Sequence, residues 1–121
     1  MTDELHENTS EGRTHYRECL PNRRGHELLG FEHGGIMYTA GVGRFEDGRL
    51  AEIFLNTAKH GTAVDNNARD AAVTASLLLQ YGCPVEIVRR ALTRNADGSA
   101  SGPLARALDL LALDQAMVQN G

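Results

Sequence analysis

The stretch from Gly34 to Asn56 constrains the fold most, because it contains two runs of alternating residues separated by an Asp-Gly pair. Such runs around Asp-Gly are typical of a β-hairpin. If Asp47 and Gly48 form a two-residue turn with positive φ, Val42 lies opposite Ile53. We therefore predict an antiparallel pair of strands in this register.

This register sorts the apolar side chains between the two faces of the sheet, and a slip by one residue would reverse them. One face is predicted to face the core and carries Ile36, Tyr38, Ala40, Val42, Ala51, Ile53 and Leu55. The opposite face carries Met37, Phe45, Leu50 and Phe54. We predict that two copies of the chain pair through these four side chains, and we call them the dimer face. Phe54 lies opposite Gly41 and can cover it.

A third strand precedes the hairpin and three helices follow it. Residues 27–33 alternate, and a turn at Gly34-Gly35 places Phe31 on the same face as Val42. Further on, helical spacing predicts a first helix with Gly82 at its left-handed C′ position, a second from Pro84 to about Arg94 and a third that opens at Pro103. The stripe of the first consists of Val64, Ala68, Ala71, Ala72, Ala75, Leu78 and Leu79. The prediction is a two-layer α+β fold, a three-stranded antiparallel sheet of two hairpins followed by three helices.

The N-terminal residues differ in composition from the rest of the chain. Residues 1–19 are rich in carboxylates and offer only Leu5 and Tyr16 to a core, and Pro21 and Gly25 then break the chain. We predict a disordered acidic arm and linker over 1–22, the α+β domain over 23–117 and a frayed C-terminus over 118–121.

Charge and cysteine content narrow the classes of function. A formal net charge of −4 gives no basic field for a phosphate backbone, so we expect no nucleic-acid partner. The two cysteines, Cys19 and Cys83, lie far apart in sequence and form no disulfide or C-x-x-C pattern. No apolar run suits a membrane span. These features predict a cytoplasmic location without a membrane partner.

One loop is a candidate binding site for an anion. Lys59, His60, Gly61 and Thr62 come just before the first helix, where free N–H groups and the helix dipole attract negative charge. A phosphate or nucleotide could bind there. The alternative is a helix-entry loop with Lys59 in solvent.

Other residues support no site by their spacing. His15 and Cys19 are four residues apart, with His26 and His33 further along, but the paired ligand motifs of structural zinc are absent, so we predict no metal site. Cys83 precedes a helix, which can activate a thiol, or is simply a small packed residue. Nothing places two carboxylates at one reacting centre, so no catalytic residue is predicted.

The chain resembles the TSCPD domain found near the C-terminus of adenosylcobalamin-dependent ribonucleotide reductases. The resemblance covers about 24–92, and its most specific part is Glu-Ile-Phe-Leu-Asn followed by Lys-x-Gly. The matching residues are Gly34-Gly35, Tyr38–Gly43, Asp47–Arg49, Ala51–Asn56, Lys59–Gly61 and the helix from Ala71 to Gly82. It extends to short bacterial proteins that carry this domain and are named for the reductase. It implies an oxidoreductase label, a role in deoxyribonucleotide synthesis and DNA replication, nucleotide binding, and vitamin B12 as the cofactor.

The chain departs from this family where the Thr-Ser-Cys-Pro-Asp motif would fall, since residues 93–98 contain no cysteine. By the same resemblance, reduction requires a radical cysteine and a redox pair, and two cysteines cannot fill three roles. The expected function is a stand-alone accessory or regulatory module that is not catalytic alone. It binds no cofactor of its own; adenosylcobalamin is implied by the resemblance only. Its expected partners are a reductase subunit or a nucleotide.

The alternative is a structural or protein-interaction homo-oligomer that keeps only the domain fold. The predicted dimer face favours it, because four large apolar side chains on one sheet face are costly to leave in water. In the competing arrangement the third helix covers that face through Leu110, Leu113 and Met117.

Overall fold

A computed structural model describes residues 16–20 and 26–120, and the side chains of 16–20 and 27–115. Its elements are β1 (His26–His33), β2 (Ile36–Arg44), β3 (Leu50–Thr57), α1 (Ala63–Gln80), α2 (Val85–Ala91) and α3 (Pro103–Asn120). The strands form one antiparallel sheet in the order β1-β2-β3. The predicted α+β fold is confirmed.

The predicted domain boundaries fall largely outside the described residues. Residues 1–15 and 21–22 of the predicted arm and linker lie outside them, as does Gly121. Residues 16–20 are described and contact the domain, since the Glu18 N–H donates to the Gln80 carbonyl at 2.7 Å. The boundaries stay a prediction.

The strand register agrees with the sequence pattern over most of the sheet. Val42 pairs with Ile53 and Phe31 pairs with Tyr38, and all four side chains are buried on one face. The Phe31 and Tyr38 rings stack with centroids 5.5 Å apart. Both predicted hairpins therefore contribute to the same core.

The turn between β2 and β3 differs from the predicted one. The Phe45 N–H donates to the Arg49 carbonyl, and the Gly48 N–H donates to the Phe45 carbonyl, each at 2.9 Å. Gly48 has φ of 95°, and no non-glycine residue in the described chain has a positive φ. The two-residue turn was wrong: Glu46, Asp47 and Gly48 form a three-residue loop, a type I turn closed by a left-handed glycine.

A bulge follows this turn and changes the faces of the hairpin end. Gly43 pairs with Glu52 but Arg44 pairs with Leu50, so Ala51 is an extra residue on β3. An extra residue reverses the alternation beyond it. Leu50 is therefore turned into the core, where only 8% of it is exposed. The prediction that Leu50 belongs to the dimer face is wrong.

The core lies between one sheet face and the three helices. Besides the sheet residues, its members are Ala68, Ala72, Ala75 and Leu79 from α1, Val88 from α2, and Leu104, Ala107 and Leu108 from α3. Alanines on α1 allow the close approach of helix and sheet.

Helix α3 packs on the same sheet face as α1. Leu110 lies against the core cluster and Leu113 is 58% exposed, while the side chain of Met117 lies outside the described residues. The competing arrangement, in which α3 covers the opposite face, is therefore wrong.

Helix α1 also closes the free edge of β3 with polar side chains. The Ser76 hydroxyl accepts from the Ile53 N–H at 2.9 Å and donates to the Ile53 carbonyl at 3.0 Å. The Gln80 amide donates to the Ala51 carbonyl at 3.0 Å. β3 is an edge strand, and its outward backbone groups would otherwise be open to another chain. Side chains of α1 occupy the place of a fourth strand.

These contacts rotate α1 relative to the predicted stripe. Val64 and Leu78 were predicted to be buried, yet they are 42% and 46% exposed. The buried positions include three polar residues instead, Asp65, Ser76 and Gln80. Polar residues on the buried face do not appear in a pattern of apolar spacing, so the stripe was only partly right.

The joint between α1 and α2 follows the predicted capping. Gly82 has φ of 101°, the Gly82 N–H donates to the Leu79 carbonyl at 3.1 Å and the Cys83 N–H donates to the Leu78 carbonyl at 2.9 Å. This is a Schellman cap, so the prediction of Gly82 is confirmed. Pro84 is the N-cap of α2, and the helix ends at Ala91, earlier than predicted.

Candidate functional site

The predicted anion loop, residues 59–62, forms the entry to α1. The Thr62 hydroxyl accepts from the Asp65 N–H at 3.2 Å and donates to the Lys59 carbonyl at 2.9 Å. Gly61 has φ of 83°, which suits only glycine at this bend. Part of the donor capacity of this helix terminus is therefore used by the chain itself.

A buried carboxylate lies behind this loop. Asp65 is 1% exposed and accepts from the Thr57 N–H and from Arg69 Nε, both at 2.8 Å. The bond from the Thr57 backbone, with Arg69 assisting, holds the pKa of Asp65 below its ordinary value. His60 Nδ1 lies 3.1 Å from Arg69 Nη2. A negative charge at this terminus counts against a second anion, and anion binding by the loop stays a prediction.

The predicted dimer face is smaller than expected and has another member. Met37 is 62% exposed and Phe54 is 45% exposed. Phe45 is 5% exposed, with the Arg49 guanidinium 4.6 Å above its ring, so placing Phe45 on an open face is a further error. Leu28 was not among the predicted dimer-face residues, yet it is 79% exposed.

These side chains define the outer sheet face: Leu28, Met37 and Phe54. Leu28 and Phe54 flank Gly41, because Gly41 pairs with Leu28 on β1 and with Phe54 on β3. A Cβ at Gly41 would lie 3.7 Å from Phe54 and 3.8 Å from Leu28, so both cover the glycine as predicted for Phe54. Leu28 and Phe54 therefore form an apolar contact across the three strands, and Met37 lies on the same face four residues before Gly41 on β2.

An ion-pair cluster centres on Asp109 of α3. The carboxylate accepts from Arg89 Nε of α2 at 2.8 Å and from Arg94 Nη2 at 2.9 Å, with a second, shorter bond from Arg94 Nη1. These bonds, Arg94 first, lower the pKa of Asp109 to about 2. The cluster ties α2 and the loop after it to α3.

The loop at residues 93–101 occupies the place of the motif that names the resembled family. The Asn95 N–H donates to the Ser99 carbonyl at 2.8 Å, and the Gly98 N–H donates to the Asn95 carbonyl at 2.9 Å. Asp97 accepts from the Ser99 N–H at 2.9 Å. Local hydrogen bonds therefore hold this loop without a thiol.

A cavity of about 370 Å³ lies between α1 and the start of α3. Tyr38, Ala68, Leu104 and Ala105 line it and are buried. This cavity was not predicted from the sequence, because it forms between segments that are distant in sequence. The available signal was Gly102-Pro103, a helix start without a capping side chain.

The described part of the chain offers neither a metal-binding cluster nor a membrane-spanning helix. Within it, no three His, Cys, Asp or Glu side chains are grouped to hold a metal ion. Cys19 is exposed, and His33 Nε2 lies 3.0 Å from the Ser101 carbonyl, while His15 is outside the described residues. None of the described helices is long and apolar enough to cross a bilayer.

Segments of vitamin B12-dependent ribonucleotide reductases are similar to this chain. The one from Agrobacterium fabrum is 40% identical over 77 residues, which is 64% of this chain and 6% of that protein. The one from Bradyrhizobium diazoefficiens is 37% identical over 70 residues, 58% of this chain and 6% of its own length. The one from Rhodopirellula baltica is 32% identical over 72 residues, 60% of this chain and 7% of its own length. The chain matches no protein-family profile and no solved structure.

These matches relate about 60% of the chain to one small segment of much larger proteins, and the chain spans only 6–7% of their length. The similarity supports a reductase-related domain.

Proposed function

We propose that this chain is a TSCPD-like accessory or regulatory module of deoxyribonucleotide supply that is not catalytic by itself. The observation that carries the proposal is its similarity, at 32–40% identity, to a segment of vitamin B12-dependent ribonucleotide reductases. A segment of 6–7% of such a protein is too short to form a large catalytic barrel with its cofactor site. A partner or ligand is therefore expected to supply the rest of the function.

The cysteines support the non-catalytic part of the proposal. The chain has two, Cys19, which is exposed, and Cys83, which is half-buried, and neither forms a disulfide. Radical reduction with a separate redox pair requires more thiols than these. Catalysis by the isolated chain would therefore lack at least one participant.

The cavities also fit poorly to cobalamin. Five cavities between described residues have volumes of about 350–610 Å³, the range of drug-sized ligands, and no histidine lines any of these five. Cobalamin, with its corrin ring and nucleotide loop, is much larger than a drug-sized molecule. We therefore assign no step of a reaction to cobalamin on this chain.

An activity assay tests the catalytic part. We expect the purified chain to reduce no ribonucleotide in the presence of adenosylcobalamin and a dithiol. Turnover that disappears in Cys83→Ser would contradict the proposal.

A thermal-shift panel tests ligand binding. Nucleoside di- and triphosphates that bind the folded chain raise its Tm. If the anion loop contributes, Lys59→Ala loses the shift and Arg90→Ala, an exposed cation on α2, keeps it. If no nucleotide raises the Tm of the wild type, nucleotide binding is contradicted and a protein partner remains.

The outer sheet face favours a second candidate, a homo-oligomer that pairs through this face. Leu28, Met37 and Phe54 are all exposed on this face, and full burial of such a side chain is worth roughly 1.5–3 kcal/mol before the cost of association, with less to gain at Phe54, which is already more than half buried. A two-fold contact would be self-complementary there. The polar contacts of α1 close the β3 edge and so count against pairing of two sheets through that edge.

Light scattering tests this candidate with a matched control. We expect a dimeric wild type, a folded monomeric Phe54→Asp and a dimeric Ile87→Asp, since Ile87 is 54% exposed on α2, away from the sheet. A monomeric wild type would contradict self-association.

A further inference from the structure

The cavity between α1 and the start of α3 has a buried floor and an open rim. Tyr38, Ala68, Leu104 and Ala105 form the floor, each at most 6% exposed. The rim consists of exposed residues, Val64, Asn67 and Thr93. A volume of about 370 Å³ lies within the range of small-molecule sites. An apolar group of moderate size can therefore enter from solvent and lose contact with water.

The N-terminus of α3 opens into this cavity with unused donors. The Gly102 carbonyl accepts from the Arg106 N–H at 3.1 Å, which makes Gly102 the N-cap. Gly102 has no side chain to cap the helix, and Pro103 has no N–H. Among the described residues nothing accepts from the N–H groups of Leu104 and Ala105. By contrast, a threonine side chain caps α1.

A second, independent donor lines the same cavity. Tyr38 is 4% exposed and its ring stacks on Phe31, yet no described residue forms a hydrogen bond with its hydroxyl. Burial raises the pKa of this phenol, so the hydroxyl keeps its proton at neutral pH. A buried hydroxyl without a partner is costly, and a ligand acceptor can remove that cost.

The lining also restricts the charge of a ligand. No charged side chain is among the described residues that line the cavity. A di- or triphosphate brings several negative charges and normally requires Arg, Lys or a metal ion. One carboxylate suits two helix N–H groups and a phenol, because N-terminal donors and the helix dipole stabilise a single anion.

We propose that this cavity binds a small molecule with an apolar body and one carboxylate group. The carboxylate accepts hydrogen bonds from the Leu104 and Ala105 N–H groups and from the Tyr38 hydroxyl. The apolar body lies against Ala68, Ala71 and Leu92. This site is separate from the predicted anion loop and does not depend on the proposed role in deoxyribonucleotide supply.

Indole-3-acetate is a suitable probe, because it combines an aromatic body with one carboxylate. Titrated into the ¹⁵N-labelled chain, it is expected to shift the amide resonances of Leu104, Ala105 and Ala68. 3-Methylindole, which lacks the carboxylate, is expected to bind at least tenfold more weakly, as is adenosine diphosphate.

Variants of the N-cap give the sharpest comparison. Gly102→Asp places a carboxylate where it accepts from the free N–H groups, so probe affinity falls at least tenfold. Gly102→Ala is the matched control with affinity within twofold of wild type, since a Cβ there meets no atom within 4 Å and Gly102 does not need a positive φ. Tyr38→Phe removes only the hydroxyl and is expected to weaken binding severalfold.

Two results would overturn the proposal. One is a probe that shifts no resonance of the cavity lining at millimolar concentration. The other is equal affinity of Gly102→Asp and Gly102→Ala, which would mean that the donors of α3 do not take part.

Discussion

Asp109 is one carboxylate that two arginines from different segments share. It lies 21% exposed between Arg89 of α2 and Arg94 of the following loop. The pKa of Asp109 falls from 3.8 to about 2 on folding, which corresponds to about 2 kcal/mol of stability. Because the folded pKa is the lower one, this contribution is complete above about pH 5 and is lost as pH falls towards 2.

The first prediction concerns Asp109→Asn. We expect the variant to lose on the order of 2 kcal/mol at pH 7 and to show a shallower fall in stability between pH 5 and 2. Urea unfolding at a series of pH values measures both. Asp114→Asn, an exposed change on the same helix, is the control. Equal pH slopes for wild type and Asp109→Asn would show that the cluster contributes nothing.

At the scale of elements, two loops share one structure. The β2–β3 loop from Phe45 to Arg49 and the loop from Asn95 to Ser99 have the same two backbone hydrogen bonds. In each, the first N–H donates to the fifth carbonyl, and the fourth N–H donates to the first carbonyl. In each, an Asp side chain accepts from the N–H two residues later, and a glycine follows with φ of 95° or 90°. The Asp-Gly pair therefore specifies a type I turn with a left-handed glycine in both places.

The second prediction follows from these glycines. Gly48→Ala and Gly98→Ala are each expected to cost about 1–2 kcal/mol, because a Cβ is strained at positive φ. Gly30→Ala in β1 is the control, since Gly30 has no positive φ and open space around it, and it should leave stability unchanged or slightly higher. Thermal unfolding gives the comparison. Equal costs at all three positions would contradict the turn assignment.

Elements specified by local signals were predicted from the sequence. The Val42–Ile53 register and the Gly82 cap depend on alternation and on one glycine, and both are confirmed. The bulge at Ala51 was missed, because Asp-Gly is typical of two-residue loops but also fits a three-residue loop with a left-handed glycine. Ser76 and Gln80 were missed because their burial depends on the edge of β3, a partner that the helix pattern does not contain.

At the scale of the whole molecule, residues 16–20 connect to two distant elements. The Glu18 N–H bonds to the C-terminal end of α1, and the Glu18 carboxylate lies 2.8 Å from Arg49 in the β2–β3 loop. The ion pair is exposed and worth little, so the backbone bond is the larger contribution. This segment therefore connects the end of α1 to the β2–β3 loop.

The third prediction compares two truncated chains. A chain that begins at Arg23 is expected to fold but to be about 1 kcal/mol less stable than one that begins at Tyr16. Chemical denaturation measures the difference. Identical midpoints would show that residues 16–20 do not contribute.

The candidate sites were harder to predict than the fold. The loop at residues 59–62 was predicted as an anion site from its position before a helix, but the burial of Asp65 behind it was not predicted. The outer sheet face followed from alternation, yet Phe45 and Leu50 left it through the turn and bulge. Tyr38 was read only as a core residue, because the cavity beside it forms when α1 and α3 meet.

The polar contacts of α1 with β3 also determine how single amides exchange with deuterium. The Ile53 N–H bonds to a helix side chain and points away from β2, whereas the Phe54 N–H faces β2 by the alternation of an antiparallel ladder. Local opening of α1 would expose the first amide and leave the second protected. We expect Ser76→Ala to speed exchange at Ile53 far more than at Phe54, and Thr74→Ala, on the exposed side of α1, to change neither. Equal acceleration at both amides would mean that α1 and the sheet open as one unit; unequal acceleration makes Ile53 a reporter of helix undocking in the intact chain.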